Sequence, residues 1–427
     1  GMPASASLPP FCDWPEDLAD LVRGGVWMVE GGHEYDGRLF MPLDEAAVTK
    51  SAEEMNARGL KSVAISAIFS PLDPTHEKRA AELVAKVIPD AIITCSSDLG
   101  RIGLLERENA GLLNAALADL SRDTIAAFEK AIRDSGIAAP LFITQNDGTV
   151  AEASQARRLP VYSFASGATN SMRGAAYLSG LSDAMVIDVG GTTTDVGQLK
   201  NGFPREANSV VKVGGVRTLF RMPDLLSIGL GGGSHVQLDP LKVGPISVGY
   251  RLLRDGIAFG GKQLTTTDVA IAAGVLTLGD KAKVAHLDAA TCKKVFAEAA
   301  RLSEEAIDRM KTEAGDVPLI AVGGGAFLIP EKLAGVSKVI HVQHGDCANA
   351  VGAAIAQVSG ECDQIFKDMS RTDALAAAQG IANDRAVAAG ADRKTLSTIE
   401  SEDMPLAYLP GNSVRVRVRV VGDVAGT

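Results

Sequence analysis

The sequence predicts an α/β protein, on three observations. A strand–helix–strand alternation runs through residues 62–94. A short apolar strand, Val186-Ile187-Asp188-Val189, ends in a turn rich in glycine and threonine with a second aspartate at Asp195. Another buried strand, Leu319-Ile320-Ala321-Val322, ends in Gly323-Gly324-Gly325. Short apolar runs bounded by turn residues read as strands, and their alternation with helical periods gives a layered α/β architecture.

The elements follow in order. Residues 1–60 are mixed, with Pro9-Pro10 and Pro15 near the start. Ser62 to Phe69 reads as a buried strand stopped by Pro71 and Pro74. His76 to Val87 reads as a helix and Ala91 to Thr94 as the next strand. Leu113, Leu117, Leu120, Ile125, Phe128 and Ile132 repeat at helical spacing, with Gly136 as a C-terminal stop. Leu141 to Thr144 is a strand ending at Gln145-Asn146-Asp147-Gly148. Ser163 to Thr169 reads as a loop and Arg173 to Leu178 as a short helix. Residues 290–312, Ala348–Val358 and 370–395 read as helices, and Val339 to Val342 as a strand. The tail Val414-Arg415-Val416-Arg417-Val418-Arg419-Val420 alternates strictly. It predicts a strand with one wet face carrying the arginines, rather than a basic patch.

Composition narrows the function classes. A chain of 427 residues has room for two or three domains and a large core. With 46% hydrophobic and 22% charged residues it is ordinary globular material. The net charge of −10 argues against binding nucleic acid or anionic membrane. The cysteines Cys12, Cys95, Cys292, Cys347 and Cys362 lack Cys-x-x-Cys spacing, so neither a zinc site nor a disulfide framework is indicated. Reduced thiols in a cytoplasmic protein are the expectation. No apolar run reaches the roughly 18 residues of a membrane span, and no signal peptide is expected.

The richest segment is Asp188-Val189-Gly190-Gly191-Thr192-Thr193-Thr194-Asp195. Glycines let backbone approach an anion, and the turn's N–H groups can form an anion nest. Threonine hydroxyls add donors. A carboxylate at the strand end can hold Mg²⁺, directly or through water. A plain Gly-Thr hairpin is the competing reading. The order hairpin, insert, strand, Gly-Gly-Gly, helix fits half of an actin-like ATPase. No Gly-x-x-x-x-Gly-Lys-Ser/Thr loop occurs, and Gly229-Leu230-Gly231-Gly232-Gly233-Ser234 departs from the dinucleotide fingerprint.

These residues carry a family resemblance. Glu30 to Gly37, Phe69 to Glu77, Arg101 to Asn109, Gln145 to Gly148, Ile187 to Val196, Ile228 to Ser234, Thr265 to Asp268, Gly323 to Pro330 and Ala348 to Ala354 together resemble the ATP-dependent hydantoinase/oxoprolinase family (hydantoinase A type). That family lies in the actin/sugar-kinase/Hsp70 superfamily. The resemblance implies an actin-like ATPase (ribonuclease H-like) fold. It also implies two phosphate hairpins, one per half, gripping the nucleotide across a cleft. Residues 1–110 hold Gly24-Gly25 and Gly31-Gly32 but no Asp-Gly-Gly-Thr, so the first domain is expected to be incomplete at its N-terminus. Weaker nucleotide binding and an exposed sheet edge favouring self-association follow from that expectation. Expected domains are 1–160 for the first domain, 161–360 for the second with an insert around 204–290, and 361–427 for a C-terminal helical segment and strand.

The resemblance implies ATP-driven opening of a cyclic amide, of hydantoin or 5-oxoproline type, by phosphorylation of its carbonyl. Acetone-carboxylase subunits are related. A companion hydantoinase B-type subunit is expected, and a homo-oligomer is an open alternative. Asp188 is assigned to Mg²⁺, and Gly190, Gly191, Thr192, Thr193 and Thr194 to the ATP phosphates. Gly323, Gly324 and Gly325 are assigned to the adenosine. Asp195 either serves catalysis or metal, or anchors the hairpin. For substrate, Asn146 and Asp147 compete with an Asx turn, and Asp268 with a helix cap. His33 beside Glu34 and Asp36 is either a proton-transfer or metal cluster or a surface turn. His235 is a candidate by position, and His341 and His344 suit structural roles. A non-catalytic nucleotide-binding or scaffold subunit, an acetone-carboxylase-like ATP-dependent subunit and a sugar kinase are the remaining alternatives.

Overall fold

Residues 16–134 form an α/β layer in the computed structural model, which describes residues 8–35, 37–99, 103–207, 211–219, 221–406 and 413–426. Its elements are α1 (Glu16–Val22), the short strands β1 (Gly32–His33) and β2 (Leu39–Met41), α2 (Glu45–Ala57), β3 (Ser62–Ile65), α3 (Thr75–Val87), β4 (Ile92–Cys95) and α4 (Leu104–Asp134). Strands β3 and β4 pair in parallel. Asp44 caps α2 by accepting from Ala47 N at 2.9 Å. Val48 and Ala52 of α2 and Ala80, Leu83 and Val84 of α3 bury against Val63. The helix predicted from Leu113 begins nine residues earlier, at Leu104. Glu77 and Arg107, from two of the stretches that carry the resemblance, hold this layer together. Glu77 is 1% exposed and accepts from Ala67 N and Ser97 N, both at 2.8 Å. Arg107, also 1% exposed, donates to Ser96 Oγ at 3.0 Å and Ile68 O at 2.9 Å. They staple the loop after β3 to the loop after β4. Asp36, Arg101 and Ile102, named in the sequence reading, lie outside the described residues.

The middle of the chain continues with β5 (Phe142–Thr144), β6 (Val150–Glu152), α5 (Ala153–Arg158) and α6 (Ser166–Ser179). Helix α6 starts inside the predicted loop 163–169. Its fourth and fifth residues are buried, Thr169 at 0% and Asn170 at 6%, so packing overrides their weak helix propensity. Then come β7 (Ala184–Val189), β8 (Thr194–Lys200), β9 (Phe203–Pro204), β10 (Val211–Val213), β11 (Val216–Thr218), β12 (Leu225–Ile228), β13 (Ser234–Leu238), β14 (Leu241–Ser247), α7 (Leu252–Asp255), α8 (Thr266–Ala272), α9 (Ala289–Met310), β15 (Val317–Val322) and β16 (Val336–His341).

The central sheet runs β12-β8-β7-β15-β16, with β9 beside β8. Strands β7 and β8 are an antiparallel hairpin, while β15 joins β7 in parallel and β16 joins β15 in parallel. This order is the actin-like ATPase fold that the sequence reading expected. Strand β7 is buried on both faces, as a central strand of a covered sheet must be. Met185, Ile187 and Val189 face α9 through Val295, Ala299 and Ile307, and Val186 faces α6 and its neighbours through Met172 and Ala175. The expected insert at 204–290 is therefore not wholly an insert, because Leu225–Ile228 is the sheet's edge strand.

The chain closes with α10 (Ala348–Ala354), β17 (Val358–Phe366), α11 (Arg371–Ala388), β18 (Ser397–Pro405) and β19 (Val414–Gly422). The helix read to Val358 ends at Ala354, since Val358 opens a strand. The sheet order β18-β19-β17-β6-β5 ties residues 358–422 to residues 142–152. A boundary at 360/361 cuts through β17, so the C-terminal elements are not a separate segment. Ala374, Ala378, Ala382 and Ala386 form the α11 face that packs on Val416, Val418 and Val420.

The wet arginine face is overturned. Strand β19 is central, and its arginines meet acids on three sides. Arg419 is 6% exposed and lies 2.7 Å from Glu206 and 3.1 Å from Asp147. Arg417 lies 2.8 Å from Glu206 and 2.9 Å from Glu400, and Arg415 2.6 Å from Asp363. The partners come from sequence-distant loops and strands, which alternation alone does not reveal.

Candidate functional site

The turn between β7 and β8 is held from behind. Gly190 N donates to Thr193 O at 2.9 Å and closes it. Gly232 N then donates to Gly190 O at 3.0 Å, Gly233 N to Gly191 O at 2.7 Å and Gly325 N to Val189 O at 2.7 Å. Ser247 Oγ adds a second donor to Gly191 O at 3.2 Å. Three successive carbonyls are thus tied back by two other loops. Gly191, Thr192 and Thr193 stay exposed at the tip. Among the described residues, their N–H groups have no backbone acceptor, so they could meet an anion.

Glycine is required here by packing. A Cβ on Gly231 would stand 2.7 Å from Gly191 C and Thr192 N. One on Gly323, whose φ is +89°, would stand 2.3 Å from Asp188 Oδ1. One on Gly325 would stand 2.7 Å from Val189 Cγ1, whereas one on Gly324 would meet nothing within 4 Å. So Gly323 and Gly325 are spent against the hairpin, and of the three residues assigned to adenosine only Gly324 faces open space. The 229–234 stretch, which the sequence reading counted toward the family resemblance without giving it a role, is the hairpin's second support. Its signal was the glycine run itself.

Asp188 and Asp195 are opposite one another across the hairpin. Both are half-buried. Burial lifts the Asp188 carboxyl above the usual carboxylate range; bonding to Ser171 opposes the rise and the Asp195 charge adds to it. Ser227 Oγ donates to Asp195 Oδ1, tying it to the edge strand. Thr194 is corrected as a phosphate ligand: it is 0% exposed, and its hydroxyl donates to Leu230 O at 2.7 Å.

The substrate candidates are not gathered here. Asp268 is 0% exposed and completes a capping box with Thr265; it also accepts from Ala258 N at 2.7 Å and Ile257 N at 3.2 Å. With both oxygens engaged inside the fold it is a helix cap. Asn146, 1% exposed, donates to Val161 O at 2.7 Å and accepts from Ala165 N at 2.8 Å. Asp147 makes the Asx turn, accepting from Thr149 N at 3.0 Å and Thr149 Oγ1 at 2.6 Å, while its other oxygen faces Arg419 and Arg221. Both are structural in this arrangement, because buried amides and carboxylates must be satisfied from within.

The histidines divide similarly. His33 meets His76 with ring centroids 4.4 Å apart and planes tilted by 41°, and it lies 3.6 Å from Asp73, a partner that its sequence neighbours did not point to. Among the described residues no three His, Cys, Asp or Glu side chains gather as a metal group. His235 bridges Thr265 through the backbone. His341 and His344 are exposed, and the next residue, Gly345, accepts from Gly323 N at 2.9 Å. A cavity of about 540 Å³ lies elsewhere, along β3, lined by Val63, Ile65, Glu108 and Leu112.

The hairpin's chemistry suits Mg²⁺ and a polyphosphate. Mg²⁺ takes hard oxygen ligands, usually one or two carboxylates with waters and phosphate oxygens, so Asp188 alone or with Asp195 fits. No helix among the described residues is long and apolar enough to cross a membrane.

Comparisons with known proteins agree with this geometry. The model of the hydantoinase/oxoprolinase family matches residues 107–315, and that of the hydantoinase/oxoprolinase N-terminal region matches residues 16–88. The first span contains the hairpin and the 229–234 loop. Caprolactamase subunit alpha of Pseudomonas jessenii is 28% identical over 57% of this chain and 36% of its own length. The acetophenone carboxylase gamma subunit of Aromatoleum aromaticum is 26% identical over 60% of this chain and 36% of its own. The chain thus spans little more than a third of these relatives. In fold, it is similar to the ATP-dependent caprolactamase of Pseudomonas jessenii, with a TM-score of 0.68 and 18% identity over 93% of this chain and 70% of that one. The nucleotide-free acetone carboxylase gives 0.65 and 18% over 93% and 69%. With both family models matched and the hairpin supported by the loops those motifs encode, the chain belongs to the hydantoinase/oxoprolinase family.

Proposed function

We propose that this chain carries a nucleotide-phosphate site of an ATP-dependent enzyme that opens a cyclic amide of lactam, hydantoin or 5-oxoproline type. The observation that carries the reading is the hairpin tip, where three exposed residues keep their N–H groups out of the backbone hydrogen bonds while the carbonyls before them are tied back. In this reading Gly191, Thr192 and Thr193 bind the β- and γ-phosphates through backbone and hydroxyl donors. Asp188 holds Mg²⁺, directly or through water, and Asp195 keeps the hairpin in place through Ser227. When bound, Mg²⁺ supplies positive charge against the phosphate oxygens. The amide oxygen would take the γ-phosphoryl group and release ADP. Water then adds to the activated carbon, the C–N bond breaks with a proton passing to nitrogen, and a second water releases phosphate.

A companion subunit fits this reading, since the relatives are named as subunits. Those relatives also favour a second reading, a subunit of an ATP-dependent carboxylase acting on a ketone. Titration calorimetry with Mg·ATP tests the shared step. Saturable binding that requires Mg²⁺ and weakens about tenfold or more in Asp188→Asn is expected. A folded chain with no Mg·ATP binding sinks the reading. ATPase stimulation by lactams, against stimulation by ketone with bicarbonate, separates the two chemistries.

A further inference from the structure

The hairpin's supports are themselves supported, and the chain of contacts ends on two threonines. Thr266 Oγ1 lies 2.6 Å from Gly231 O and 2.8 Å from Gly232 O. Thr267 Oγ1 donates to Gly232 O at 2.7 Å, and Thr267 N donates to the same carbonyl at 3.0 Å. Both threonines are buried, Thr266 at 0% and Thr267 at 3% exposure. The carbonyl side of the loop is therefore fixed by α8, while its N–H side, through Gly232 and Gly233, fixes the hairpin. Asp268 locks the start of α8 by its capping box. None of these side chains is at the hairpin tip.

We infer that Thr266 and Thr267 are positioning residues for phosphate binding, acting through the Gly231–Gly233 loop. This inference rests on the proposed nucleotide site. A peptide N–H binds an anion well when its direction is set before the anion arrives, because ordering costs are then already met. In the hairpin that direction is set from the carbonyl side. Freeing Gly231 O and Gly232 O from their hydroxyl donors lets the loop rotate, and with it the Gly190 and Gly191 peptide planes. Thr266 thus influences phosphate without touching it.

The test compares Thr266→Val, which keeps shape and loses the hydroxyl, with Thr266→Ser, which keeps the hydroxyl. Mg·ATP and inorganic pyrophosphate are titrated by calorimetry, and hydrogen exchange is followed in peptides covering 188–196. The valine variant should bind both probes about tenfold more weakly and exchange faster at the hairpin, with serine restoring wild-type values. A merely structural role would lower the melting temperature while leaving affinity and hairpin exchange unchanged in the folded protein, and that result overturns the inference. Valine and serine variants equally weakened would also overturn it, since the hydroxyl would then be irrelevant. A second variant, Gly231→Ala, pushes directly on Gly191 and Thr192 and should lose pyrophosphate binding; retained binding counts against the relay. If wild type binds neither probe, the proposed function fails together with this inference. If wild type binds and the valine variant matches it, only this inference fails.

Discussion

A methyl group at position 323 would land inside the β7–β8 hairpin. Alanine at φ +89° costs about 1–2 kcal/mol in backbone conformation alone. Its Cβ would also stand 2.3 Å from Asp188 Oδ1 and 2.4 Å from Val189 O. Contact at those distances forces the turn and hairpin apart, which endangers the Gly325 N to Val189 O bond, worth about 1 kcal/mol. The expected loss for Gly323→Ala is about 2–4 kcal/mol. Gly324→Ala is the comparison: nothing lies within 4 Å of its Cβ, and its stability should stay within about 0.5 kcal/mol of wild type. Chemical denaturation gives the stabilities, hydrogen exchange of residues 186–196 localises the change, and Mg·ATP titration reads the site. Gly323→Ala should exchange faster at the hairpin and bind weakly. If it unfolds and binds as wild type does, the glycine is not there for this close approach and the packing argument is wrong.

Two pH responses follow from half-buried carboxylates outside the hairpin. Burial by itself would raise the Glu206 carboxyl, but Arg221, Arg419 and Arg417 outweigh it and hold it down at about 2. A lowered carboxylate stabilises fully above its unfolded value near 4.5 and loses that contribution as pH falls toward 2, here up to about 3 kcal/mol. Acid unfolding of wild type should therefore be steeper between pH 5 and 2 than that of Glu206→Gln, and equal slopes would contradict the assignment. Glu108 shows the opposite sign. Burial pushes its carboxyl up to about 7, so stability is highest below pH 4.5 and declines as pH rises through 7. Glu108→Gln should gain on wild type by up to about 3 kcal/mol at pH 8 and nothing at pH 4. A constant difference across that range would show that ionisation is not the cause.

The hairpin at 188–195, the glycine turn at 323–325, and the strands and helices around them were legible in the sequence. Each is a local pattern: an apolar run of strand length, a helical repeat, or glycine where φ or close approach demands it. The family and the fold class followed from the same stretches. Tertiary structure decided what the patterns are for. Thr194 looks like a third phosphate hydroxyl, yet it donates its hydrogen bond to Leu230 O, 36 residues away. Asp268 looks like an acid in a polar run, yet it closes the start of α8. The arginines of β19 look solvated because alternation reports only that two faces differ. It cannot report that Glu206 and Asp147 arrive from elsewhere to cover one of them. Sequence fixes periodicity and backbone freedom, which are properties of neighbours in the chain. Burial, ion pairing and hydrogen-bond satisfaction depend on residues far apart in it, so the division between a ligand-facing group and a scaffold group waits for the fold.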